Sequence, residues 1–186
     1  MPGEAYATIY ELGADQLGYF TAGQARDAGV SSMALVMMER REVVERISRG
    51  VYRLLHFPVS PLSQYMEASL WPAGVTGIIS HESALALYNI SDVNPARVHI
   101  TVPNSFRIRR QIPRQLVVHR ADVPGEDQDF YEGIPVTSVT RTIRDCHAAH
   151  LGEALLGRAL VDAERSGLLK HQEAEQLRND LQIYHS

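Results

Sequence analysis

The sequence predicts an α+β chain of two domains, and three observations carry that reading. Short helical segments, the second and third preceded by a threonine or a serine, crowd the first part of the chain and lead into an alternating hairpin. A proline-rich break then follows at His56-Phe57-Pro58-Val59-Ser60-Pro61, where the prolines disfavour both helix and central strand. Beyond the break, strand-like runs alternate with amphipathic helices, the pattern of an α/β layer. The predicted domains are therefore 1–57 and 58–186.

In the first domain, Tyr6 to Leu17 reads as a helix with Ile9, Leu12 and Leu17 on one side and Gly18 as its stop. Thr21 is placed to cap a second helix from Ala22 to Ala28, and Gly29 to end it in a tight turn. Ser31 or Ser32 caps a third helix to about Arg40, anchored by Leu35 and Val36. Glu42 to Ile47 and Val51 to Leu55 read as strands around the turn Ser48-Arg49-Gly50.

In the second domain, Leu62 to Trp71 and Glu82 to Tyr88 read as helices. Arg97 to Val102, Leu116 to His119 and Ile134 to Thr137 read as strands. Ser138 or Thr140 caps a helix through Ala149. Gly152 to Ser166 is a periodic helix with Leu155, Leu156, Leu160 and Val161 on its apolar face, and His171 to Leu181 is a last, polar one.

Composition bounds the function. Hydrophobic residues make up 45% of 186 positions, which suits a packed core. No apolar run reaches the roughly 18 residues that a membrane helix needs, and Met1 to Tyr10 lacks the basic start of a secretory signal. Cys146 is the single cysteine, so no internal disulfide forms, which fits a reducing cytoplasm. The net charge of −4 hides a segregation. Arg97, Arg107, Arg109, Arg110, Arg114 and Arg120 fall between Val93 and Ala121, where no acid occurs, while acids dominate from Asp122 onward. Such segregation points to a polyanion-facing surface more than the total does.

Thr21 to Ser32 has the form of a DNA-binding helix-turn-helix. Small Ala25 lets two helices approach, Gly29 takes the turn, and Val30 plugs the angle between them. The third helix is then the recognition helix, with Ser31, Ser32 and Met33 at its start, Met37 one turn on, and Arg40 and Arg41 at its far end. Its early side chains are expected to meet base edges in the major groove, and the arginines to meet phosphate. The hairpin is the wing, and Arg46, Arg49 and Arg53 are expected to project from it toward DNA. The same features also suit a plain three-helix core with a solvated hairpin, and residues 1–56 are not basic overall, so a DNA face there must be local.

Gly18-Tyr19-Phe20-Thr21-Ala22-Gly23-Gln24-Ala25-Arg26, Gly29-Val30-Ser31 and Arg46-Ile47-Ser48-Arg49-Gly50-Val51-Tyr52-Arg53-Leu54 together resemble the N-terminal domain of AbiEi-type antitoxins. Ile79-Ser80-His81-Glu82-Ser83-Ala84-Leu85-Ala86-Leu87-Tyr88, Val98-His99-Ile100-Thr101-Val102-Pro103 and Gly133 through Asp145 are similar to that family's C-terminal domain. The resemblance implies a winged helix-turn-helix followed by an α/β antitoxin domain. It implies a cytoplasmic non-enzyme that binds repeated sites in duplex promoter DNA, represses its own operon and counters a nucleotidyltransferase-like toxin, often without a stable complex. Carried over, the DNA contacts lie in Ser31 to Arg41 and Arg46 to Arg53. Some chains with the same middle section continue into a nuclease-like domain. Here the one lysine is Lys170, and no Asp precedes a Glu-x-Lys triplet, so that part is expected to be absent. The competing readings are a stand-alone regulator that responds to a small molecule and, further off, a nuclease or transferase.

Arg107, Arg109, Arg110 and Arg114 form a second candidate patch, for DNA backbone or RNA, with a solvated loop as the bland alternative. His81-Glu82-Ser83 reads as a helix start capped by Ser80, because no G-x-S-x-G surrounds Ser83. Asp145, Cys146, His147 and His150 carry metal-capable groups without zinc-site spacing. No phosphate-binding glycine motif occurs. The sequence therefore predicts no metal, no cofactor and no membrane partner.

Overall fold

The computed structural model describes residues 2–183, which form two compact units that part between Gly77 and Ile78. The mixed α+β class is as the sequence predicts. The division falls later than the proline-rich break, because the helix after that break packs with the first unit.

The first unit begins with α1 (Pro2–Ala14), which ends earlier than periodicity suggests. Leu17 and Gly18 lie beyond it, both with positive φ. Gly18 is required there: at its φ of +86°, a Cβ would stand 2.6 Å from Cβ of Phe57. β1 (Tyr19–Thr21) follows, then α2 (Ala22–Asp27) and α3 (Ser32–Arg40). β2 (Val44–Ser48) and β3 (Val51–Leu54) form the hairpin. The sheet order is β1-β3-β2, all antiparallel, so β3 is its central strand. Ile9, Phe20, Ala25, Val30, Leu35, Met38, Val44 and Leu54 form one buried cluster. Burying each large apolar side chain there contributes roughly 1.5–3 kcal/mol. α4 (Ser63–Leu70) buries Met66, Ala68, Ser69 and Leu70 and packs against β1.

The second unit carries a five-stranded mixed sheet of order β6-β5-β4-β8-β7. Its strands are β4 (Ile78–Ile79), β5 (Val98–Val102), β6 (Leu116–Arg120), β7 (Gln128–Tyr131) and β8 (Ile134–Thr137). β5 and β6 are parallel, as are β4 and β8; β4–β5 and β7–β8 are antiparallel. α5 (His81–Tyr88) packs on β5 and on α6 (Val139–Ala148). α7 (Glu153–Arg165) packs against α6 and α8 (His171–Asp180). α7 buries Leu156, Ala159, Leu160 and Ala163, whereas Val161 is 43% exposed, so its apolar face is rotated from the leucine-and-valine stripe expected. The carboxylate of Asp162 is also buried and accepts from Arg158, Arg165 and the Ser91 backbone N–H.

Candidate nucleic-acid interface

The turn between α2 and α3 is built by local chemistry. Gln24 N–H donates to Thr21 Oγ1 at 3.1 Å, and Thr21 N–H donates to Gln24 Oε1 at 2.8 Å. This reciprocal capping box satisfies two donors that the start of a helix otherwise leaves unpaired. Gly29 takes a φ of +85°, and Val30 N–H then donates to Ala25 O at 2.8 Å, closing the turn. Ala25 and Val30 are both buried, so the small residue and the plug act as the sequence predicts.

Ser31 caps α3, with Ala34 N–H donating to Ser31 Oγ at 3.1 Å. Leu35 and Met38 turn α3 toward the core, and Met38 takes the anchoring place expected of Val36, which is 40% exposed. This rotation leaves Ser31, Ser32, Met33, Val36, Met37, Arg40 and Arg41 on the exposed side. At about 1.5 Å per residue the helix is short enough to lie in a major groove along its length.

The hairpin flanks α3, which packs on β2. A register shift between Arg46 and Ser48 marks a bulge beside the turn. Ala22 N–H donates to Gly50 O at 2.9 Å, which ties the hairpin tip to the start of α2. Arg46 and Arg49 are exposed on this short wing.

Arg53 departs from the expectation. It is buried at 7% exposure on the central strand, between Tyr19 of β1 and Glu45 of β2. Its guanidinium donates to Phe57 O at 2.6 Å, pairs with Glu45 Oε1 at 3.3 Å and lies over the Tyr19 ring at 5.8 Å. Arg53 is a structural pin that fastens the chain leaving β3, and it is withdrawn from the DNA-facing set.

Residues 8–55, which span most of α1, the helix-turn-helix and the hairpin, match the family model described as Transcriptional regulator, AbiEi antitoxin. That segment is similar to the AbiEi-type regulators. No curated protein matches the chain. Among solved structures, the crystal structure of RV2827C protein from Mycobacterium tuberculosis aligns at 14% identity over 92% of this chain and 69% of that one, with a TM-score of 0.45. No helix among the described residues is long and apolar enough to cross a membrane.

Outside the matched segment, Arg107, Arg109 and Arg114 are exposed on the connection between β5 and β6, while Arg110 is half-buried. Ser80 precedes α5 as expected but caps no backbone N–H; its Oγ accepts from Thr101 Oγ1 at 2.8 Å and meets His81 Nδ1 at 2.9 Å. Ser83 is buried as a cross-link, with His99 N–H donating to its Oγ at 2.8 Å. Asp145 pairs with Arg141 along α6, and burial pushes the Cys146 thiol well up, with Glu82 and Asp145 adding to the shift. Among the described residues, His147 and His150 do not join a cluster of metal-capable groups. The group that the fold does assemble is His81, His99 and His119, which sequence spacing could not reveal because each comes from a different element.

Proposed function

We propose that the AbiEi-type domain binds duplex promoter DNA and represses the operon that encodes it, and that the whole chain acts as an antitoxin against a nucleotidyltransferase-like toxin. The supporting observation is the exposed face of α3, carrying Ser32, Met33, Met37 and Arg40, beside a hairpin that exposes Arg46 and Arg49. In this reading, the start of α3 enters the major groove, where Ser31, Ser32 and Met33 meet base edges. Arg40 and Arg41 meet phosphate at its far end. Arg46 and Arg49 hold the flanking backbone, with Arg49 directed at the minor groove. The antitoxin role rests on the family match together with the likeness of the second unit's motifs to the family's C-terminal domain.

The DNA reading is tested by titrating the chain against its own upstream region. Ser32→Ala is expected to relax base preference at one position of the site, by about 1 kcal/mol or more per base pair. Arg49→Ala is expected to weaken all sequences alike. Wild-type affinity and selectivity in both variants would overturn the placement of α3 and the wing. The antitoxin reading is tested by co-expression with the neighbouring gene: relief of its toxicity supports it, and undiminished toxicity removes it.

A further inference from the structure

We propose that His81, His99 and His119 in the second unit form a three-histidine binding site for a zinc(II) ion, with solvent as the fourth ligand. The three residues are distant in sequence and converge through the sheet. β5 and β6 run parallel with Thr101 opposite His119 and His99 opposite Val117. Alternation of side chains across a strand then puts His99, Thr101 and His119 on one face. His81 arrives on the same group as the first residue of α5, directly after β4.

One ligand nitrogen from each imidazole lies within 4.8 Å of the others. The closest pair, His119 Nε2 and His99 Nδ1, is hydrogen-bonded at 3.2 Å, so the donor ring must carry its proton on its other nitrogen when both ligate an ion. Two nitrogens on a tetrahedral zinc, each bonded at about 2.0–2.1 Å, stand about 3.3 Å apart, so this pair already has the spacing of two ligands. His81 lies parallel to His119 with ring centroids 3.6 Å apart and 12° between the planes. Closing on the ion therefore needs His81 to tilt off that face, while the other two rings stay near their present places.

The surroundings favour a ligand role. Ser80 Oγ stands 2.9 Å from His81 Nδ1 and accepts a hydrogen bond from Thr101. Protonated at Nδ1, His81 donates to Ser80 and leaves Nε2 for the metal, the outer-shell arrangement that fixes a ligating imidazole. His81 also holds a φ of 53°, a left-handed conformation costly for a residue with a Cβ, as do seven other non-glycine residues among those described. Burial lowers all three rings from the ordinary imidazole range, His81 to about 3, with His119, His99 and Arg141 adding to that shift. Arg141 is itself neutralised by Asp145 and Asp127. Asp145 Oδ2 is buried without a hydrogen-bond partner, and the carboxylate acts electrostatically on His119, so it offsets part of an ion's charge. Imidazole donors select zinc and its late first-row neighbours over magnesium and calcium, which require oxygen ligands. With three protein ligands and half-buried rings, the fourth position faces solvent.

The test uses the full-length, untagged chain stripped with a chelator and titrated with Zn²⁺ against a chromophoric competitor. The expected result is one zinc per chain and a raised thermal midpoint on loading. Cobalt substitution is expected to give the intense visible bands of a tetrahedral centre. His99→Asn and His119→Asn should each lower zinc affinity more than about a hundredfold, beyond the range of an outer-shell loss, and Ser80→Ala about tenfold. Far-UV circular dichroism of the metal-free variants establishes that each is folded, and a His147→Asn/His150→Asn variant should bind zinc like the wild type. No stoichiometric zinc uptake by the wild type, or undiminished uptake by a folded His99→Asn/His119→Asn double variant, overturns the proposal in favour of a metal-free histidine hydrogen-bond cluster.

Discussion

Arg49 and Arg53 stand on one hairpin and look alike in the sequence, yet their surroundings separate them. Arg49 is exposed at the turn, whereas Arg53 has its side chain at 9% exposure and its donors committed to Phe57 O and Glu45. The difference was not legible because β1 was not. A hairpin alone would leave β3 at an edge, where an arginine projects. With Tyr19–Thr21 added on its other side, β3 becomes central and Arg53 is flanked by Tyr19 and Glu45. Arg53→Ala is therefore expected to lower unfolding free energy by roughly 1–3 kcal/mol, because a carbonyl loses its charged donor and a packed side chain is removed. Equilibrium urea denaturation measures this. DNA affinity of the folded fraction should stay near wild type; a selective loss of affinity with unchanged stability would return Arg53 to the DNA-facing set.

At the scale of the element, chemistry that acts within a few residues was readable. Thr21, Ser31 and Ser138 cap helices where the sequence places them, because a cap needs only a side-chain oxygen and a backbone N–H three residues on. Gly29 closes the turn for an equally local reason. The misses are short or polar strands. β4 is only Ile78–Ile79, and β7 reads Gln-Asp-Phe-Tyr, too polar for a periodicity signal. Both are strands because a neighbour pairs with them, β5 and β8 in the first case and β8 in the second. Two substitutions probe how the helix-turn-helix is held. Thr21→Ala should cost about 1 kcal/mol through removal of the cap. Gly18→Ala should cost more than about 1 kcal/mol, since it adds left-handed strain to a 2.6 Å approach to Phe57. Thermal melts of the two variants check both; equal stability of Gly18→Ala and wild type would show that the α1–β1 corner relaxes freely.

At the scale of the whole molecule, the helix-turn-helix and the mixed fold class were legible in the sequence, but the division of the chain was not. Prolines mark a break at residues 58–61, yet α4 beyond them packs against β1, so the compact units part at Gly77 and Ile78. A linker composition reports where regular structure pauses, not which core the next helix joins. The three histidines were invisible for a related reason: no spacing rule connects 81, 99 and 119 until β5 and β6 are paired in parallel. Charge segregation, by contrast, was legible, and it leaves Arg107, Arg109 and Arg114 exposed on the second unit. If that patch also meets DNA backbone, the triple change to glutamate lowers promoter affinity and the salt slope together; an unchanged slope assigns the patch to solvent.

The central claim, that α3 and the wing together engage duplex DNA, is tested most directly by the salt dependence of binding to the chain's own promoter region. Fluorescence anisotropy of wild type and an Arg46→Ala/Arg49→Ala double variant would be measured across a series of salt concentrations. The account predicts tighter binding to the promoter than to unrelated duplex, with the slope of log affinity against log salt smaller by about two in the double variant, one for each phosphate left without its arginine. Equal affinity for both duplexes, or a double variant whose affinity and slope match the wild type, would contradict it.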